Sequence, residues 1–99
     1  MAYEIIYKKR FLNKLLTLLD YLKNEWGQSV SEKFIIQLQK RLNTLSKHPF
    51  IGSPSNAVKS VRSILVTRQN RIFYKIEGNV IEAINMQDSR SDPNKNPYN

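Results

Sequence analysis

The stretch SVRSILVTRQNRIFYKIEGNVIEAI, Ser60 to Ile84, decides how this chain is read. Its β-branched and aromatic residues come in short alternating runs, broken at Gln69-Asn70 and again at Glu77-Gly78-Asn79. Both breaks have hairpin length, and Gly-Asn tolerates the positive φ angles that tight hairpins demand. Three consecutive antiparallel strands are the expectation, the last continuing through NVIEAINMQ. The same stretch carries Arg62, Arg68, Arg71 and Lys75, with no acidic residue until Glu77. In the middle run, Ile72, Tyr74 and Ile76 alternate with Arg71, Phe73, Lys75 and Glu77, so one face of the sheet is apolar and the other basic with an aromatic on it.

Upstream the period lengthens. Phe11, Leu12, Leu15, Leu16, Leu19, Leu22 and Trp26 recur at steps of three and four, which is an amphipathic helix, and Gly27 is placed to end it in a left-handed cap. Ser29 and Glu32 have capping-box spacing, which predicts the start of a second helix. Phe34, Ile35, Leu38, Leu42 and Leu45 mark its buried face, Lys47 and His48 sit in a last turn that favours cations, and Pro49 stops it. The short Gly27-Gln28 link implies an antiparallel helical hairpin. Before it, AYEIIYKK reads as a terminal or edge strand; after it, HPFIGSPSN is a connecting loop. The expected order is strand, helix, helix, strand, strand, strand: an α+β domain in which the helical hairpin packs on a small antiparallel sheet. The final stretch from about residue 88, DSRSDPNKNPYN, lacks an apolar period and reads as a flexible tail.

The 99 residues suit one domain with one modest core, 40% of them hydrophobic. The formal charge of +8 arises from 16 basic against 8 acidic residues. Residues 33 to 76 contain no Asp or Glu, so this segment cannot neutralise itself; nucleic acid, a phosphate-rich ligand or an acidic protein is the natural partner. The alternative is a set of solvated charges that protect an open sheet face from unwanted pairing. With no cysteine and one histidine, thiolate chemistry and Cys- or His-based metal sites are not expected, and nothing points to an organic cofactor or a small-molecule substrate. His48 reads as a capping or surface residue. No run approaches the about 18 apolar residues of a membrane-spanning helix and the N-terminus lacks signal-peptide order, so a soluble cytoplasmic protein is expected.

Taken together, the order of elements, the helical hairpin, the LSKHPFIGSP turn, the VRSILVTRQNRIFYKIEGNVIEAI hairpins and the closing QDSRSDP resemble the RelE/ParE toxin superfamily of type II toxin–antitoxin modules, from about Tyr3 to Pro93. The resemblance implies a toxin neutralised by a cognate acidic antitoxin, paired with it one to one. ParE-like members poison DNA gyrase; RelE-like members cut mRNA in the ribosomal A site through attack of a ribose 2′-hydroxyl on the adjacent phosphate. The long paired helices and the HPFIGSP turn match the ParE branch better, so gyrase is the first expectation and ribosome-dependent endoribonuclease the alternative. A basic binding module that keeps the fold without toxicity is a second alternative.

The endoribonuclease reading assigns residues by position. Arg71, just before IFYKI, matches a functional arginine of the RelE branch; Arg90 matches the basic residue after the last strand and Arg62 one early in the second. These would bind the scissile phosphate, with Tyr98 the candidate for proton transfer. Ile64 stands where such nucleases often carry a lysine, and Asn96 where the tail tyrosine is expected. In any of the readings, Arg62, Arg68, Arg71, Lys75 and Arg90 are the candidate contacts to nucleic acid or antitoxin.

Overall fold

The computed structural model describes residues 2–88. Along the chain, β1 (Glu4–Tyr7) leads into α1 (Lys9–Trp26) and α2 (Gln28–Lys47), followed by β2 (Ser53–Pro54), β3 (Val61–Leu65), β4 (Asn70–Glu77) and β5 (Val80–Asp88). The strands form one sheet in the order β1-β5-β4-β3-β2. The α+β architecture is the expected one. The sheet, however, is mixed: β1 runs parallel to β5, with Ile5 opposite Ile81, while the other pairings are antiparallel. A four-residue strand fixes which residues alternate but not which way it runs against a distant partner. β2, two residues long, is an addition inside the expected loop.

Both helices cover one face of the sheet. Phe11 of α1 and Phe34, Leu38 and Leu45 of α2 are buried against Ile64, Val66, Ile72, Tyr74, Ile81, Ala83 and Met86. On α1 the seam is Phe11, Leu15, Leu18 and Leu22, which recur at four, three and four residues and share one side of the helix. Leu12, Leu16 and Trp26, expected on the buried face, are exposed, because the apolar stripe is wider than the seam that packs.

The hairpin between the helices is tighter than its sequence suggested. Gly27 alone links them, closing α1 through its N–H on the Lys23 carbonyl and opening α2. Its φ of 96° and ψ of 164° lie in a region open to glycine and almost nothing else, outside the left-handed helical cap that was expected. The capping box does not form. α2 begins at Gln28, one residue before Ser29, and Glu32 accepts from the Gln28 side chain at 3.2 Å. Ser31 ties the helices together instead, donating to the Leu19 carbonyl at 3.3 Å.

In the sheet, Glu77 faces Val80 across a two-residue turn in which Gly78 takes φ 58°, as the Gly-Asn pair predicted. The β3–β4 turn is longer than Gln69-Asn70: Thr67 organises it, its hydroxyl accepting from the Gln69 N–H at 3.2 Å and from the Asn70 side chain at 3.1 Å. The register of β4 on β5 slips between Phe73 and Tyr74, which oppose Asn85 and Ala83 and leave Ile84 as the extra residue. Such a bulge inverts alternation, so Ile81, Ala83 and then Met86 all reach the helix-covered core.

The Gly27 backbone yields a stability test. A Cβ there meets nothing within 4 Å, so Gly27→Ala isolates backbone strain from crowding. It is expected to cost about 1–3 kcal/mol in urea unfolding; an unchanged midpoint would refute the glycine-only conformation.

Candidate functional site

The strand register sorts the candidate residues by face. On the side away from the helices the antiparallel pairings lay out three rows across β3, β4 and β5: Val61, Lys75 and Glu82; Ser63, Phe73 and Asn85; Leu65, Arg71 and Gln87. Arg71 and Lys75 therefore share this outer face with Phe73 between them, as alternation predicted. Phe73 is only 4% exposed although it lies outside the helix-covered core. Arg71 donates through Nη1 to Ser63 Oγ at 2.7 Å, which fixes the guanidinium over the sheet. Its cross-strand neighbour Gln87 has a buried Oε1 with no hydrogen-bond partner among the described residues. Lys75 stands opposite Glu82, whose carboxylate lies 3.9 Å from Lys8. This corner of the outer face thus places a guanidinium, held by a buried hydroxyl, beside a buried amide oxygen.

Arg62 is elsewhere. It opposes Tyr74, a core residue, and so lies on the helix side of the sheet. Its Nη1 donates to the carbonyls of Gly52 at 2.9 Å and Phe50 at 3.4 Å, and its guanidinium carbon stands 5.2 Å from the Phe50 ring centre. The residue belongs to the support of the 48–55 loop. Arg68 lies exposed in the β3–β4 turn. Arg90 and Tyr98 fall outside the described residues, so the structure relates Arg71 to neither of them. His48 caps α2, its N–H bonded to the Thr44 carbonyl at 2.9 Å.

Tyr74 sets the geometry of that loop. Fully buried, its hydroxyl donates to the Pro49 carbonyl at 2.7 Å and accepts from the Gly52 N–H at 3.0 Å. Gly52 is required here, since a Cβ would run into Tyr74 Oη. Burial pushes the Tyr74 phenol above its usual 10.0, an effect opposed in part by the Gly52 hydrogen bond and the Arg62 charge.

A second basic feature was missed in the sequence. Lys9, Arg10 and Lys14, at the start of α1, line an open groove of about 1160 Å³ together with one acid, Asp88, and an apolar part that includes Leu18, Tyr21 and Met86. The signal was present: KKR at a helix start with no acid in the first turn is the reverse of what the helix dipole favours. Among the described residues no three His, Cys, Asp or Glu side chains cluster as metal ligands, and no helix is long and apolar enough to cross a membrane.

Residues 5–92 match the model of the ParE toxin of the type II toxin–antitoxin system parDE. The chain belongs to the ParE toxin family. Solved structures share its fold at low identity. A chain of the chromosomal ParDE system from P. aeruginosa superposes with a TM-score of 0.74 at 13% identity, covering 88% of this chain and 96% of that one. The isolated E. coli RelE toxin gives 0.61 at 20% identity, with 93% and 89% covered. The E. coli DinJ-YafQ toxin–antitoxin complex gives 0.63 at 12%, with 89% and 93% covered. Among curated proteins none matches the sequence significantly.

For this ParE-family toxin the Tyr74 bridge makes two measurable statements. Tyr74→Phe strands the Pro49 carbonyl and the buried Gly52 N–H and is expected to cost about 1–3 kcal/mol in chemical unfolding. Because folding raises the phenol's pKa, the native state holds its proton longer, and stability is full below pH 10 and lost as pH rises through the folded value. The alkaline loss should be shallower in Tyr74→Phe; equal slopes for both proteins would exclude this tyrosine as its source.

Proposed function

We propose that this chain is a ParE-like toxin that acts by binding DNA gyrase and is held inactive by an acidic antitoxin. The observation that carries the choice of branch is the fate of Arg62. A phosphate clamp built from Arg62, Arg71 and Arg90 needs these side chains on one surface, and Arg62 is on the helix side, donating to Gly52 and Phe50, while Arg71 is on the other. Poisoning by binding needs no clamp. It needs a rigid surface with strong charge, which the acid-free segment 33 to 76 supplies.

The antitoxin part of the reading rests on the family match and on the groove of Lys9, Arg10 and Lys14, where cations rim an apolar lining. An acidic amphipathic helix suits both: its apolar face fills the groove and its carboxylates meet the rim. The P. aeruginosa ParDE and E. coli DinJ-YafQ structures come from a toxin–antitoxin system and a toxin–antitoxin complex.

One corner of the molecule favours a second reading. Arg71, held by Ser63, presents a cation that an RNA phosphate would complement. On this reading the chain is a RelE-like, ribosome-dependent mRNA endonuclease, with Arg71 on the phosphate and Arg90 and Tyr98 as the remaining candidates.

The two readings separate in one experiment with two arms. Purified protein is added to gyrase with relaxed plasmid, and to programmed ribosomes with mRNA followed by primer extension. The expected result is blocked supercoiling by wild type and by Arg71→Ala alike, with intact mRNA. Cleaved mRNA that is protected in Arg71→Ala, with gyrase unaffected, would replace the gyrase reading by the endonuclease one.

A further inference from the structure

The HPFIGSP loop carries two large apolar side chains that the fold does not use. Phe50 is 61% exposed and Ile51 46% exposed, side by side, in a protein whose other loop residues are mostly small or polar. Exposed apolar residues on a loose loop would mean little. This loop is not loose: Tyr74 Oη bridges the Pro49 carbonyl and the Gly52 N–H, Arg62 holds the Phe50 and Gly52 carbonyls, and the Ile51 N–H bonds to the His48 carbonyl at 3.3 Å. Each backbone residue from Pro49 to Gly52 is thereby fixed by at least one hydrogen bond. A braced aromatic and aliphatic pair is what an interface anchor looks like before its partner arrives, since the ordering cost is already met within the fold.

The surroundings specify the partner's charge. Phe50 and Ile51 lie within the acid-free segment, with Lys47 one turn back on α2 and Arg62 on the Phe50 ring. Arg62 donates to the loop through Nη1, and its other nitrogens donate to no described residue, so a carboxylate brought alongside the ring would find an available cation. A second copy of this chain would bring the same positive charge to the contact, which disfavours self-association. Nucleic acid would gain from the charge but not from Ile51, and the guanidinium already lies against the ring that a base would stack on.

We propose that the Phe50–Ile51 tip is an anchor site for a protein segment in which acidic side chains flank apolar ones. Such a segment seats its apolar side chains on Phe50 and Ile51, and its carboxylates face Arg62 and Lys47. This rests on the reading that the partner is acidic, and it adds a contact point that shares no residue with the groove of Lys9, Arg10 and Lys14.

The test pans a phage-displayed library of random-sequence peptides against the purified full-length protein, then measures the enriched sequences as free peptides by fluorescence anisotropy. Wild type is compared with Phe50→Ser, Ile51→Ser and, for the groove, Lys14→Glu, after thermal unfolding has shown that all four are folded. The expected result is enrichment of Asp and Glu beside Leu, Ile or Phe, with affinity reduced at least about tenfold by Phe50→Ser and by Ile51→Ser, an ordinary loss for truncating an interface anchor. Acidic peptides that are indifferent to both substitutions but lost with Lys14→Glu would overturn the tip and leave the acidic partner standing. Enrichment without carboxylates, or no enrichment, would overturn the tip together with the acidic-partner reading. Binding of a uridine oligonucleotide that depends on Phe50 would assign the tip to RNA and overturn the proposal as well.

Discussion

One hydroxyl group joins the two halves of this fold. Tyr74 lies in the middle of β4, beneath the helices, and its Oη takes the N–H of Gly52 while giving its proton to Pro49. The loop that carries the chain from the end of α2 into the sheet is thus fastened to the core by a side chain 22 and 25 residues further on. A buried hydroxyl with both its donor and its acceptor used contributes modestly when made and is costly when broken. That asymmetry explains why so much is arranged around it: a glycine where a Cβ would collide, and an arginine that grips the same loop from the next strand. Remove the hydroxyl and the loop loses the reference point that sets the direction of Phe50 and Ile51.

The same arrangement decides how the positive charge is divided. Four cations in Ser60 to Ile84 invited a single explanation, an anionic partner completing their neutralisation. The structure gives them different tasks. Arg62 holds a loop on one face, Arg71 is held by Ser63 on the other, Lys75 has Glu82 opposite, and Arg68 sits at a turn. The charge that remains unmatched is spread around the molecule, from the start of α1 to the tip after α2. This distribution suits a partner that wraps over a surface better than one that inserts a single phosphate.

Much of this was legible in the chain. The change of period from three-and-four to two marked the helices and the sheet, because burial on one face imposes it. Alternation placed Arg71, Phe73 and Lys75 together. What periodicity does not carry is direction, so the parallel pairing of Glu4–Tyr7 was out of reach, as was the bulge at Ile84, which depends on how β5 meets its neighbour. Ser29 and Glu32 had the right spacing for a cap, but Gly27 serves both helices and pulls the start of α2 one residue earlier. The hydrogen bonds of Arg62 were out of reach for a related reason: a cation next to a strand core is drawn to whichever acceptors are near in space, and the carbonyls of residues 50 and 52 are ten or more positions away in sequence.

The outer strands of the sheet have a bearing on solubility. The long strands, β4 and β5, are both interior, and the sheet ends in the four residues of β1 on one side and the two of β2, including Pro54, on the other. A proline has no N–H to offer, and two to four residues make a poor template for another strand. Pairing through the β2 end is thereby blunted, whereas β1 covers only Val80–Ala83 of β5, and among the described residues no strand lies beside Ile84–Asp88 on that side. The backbone left open to another strand is thus confined to the second half of β5.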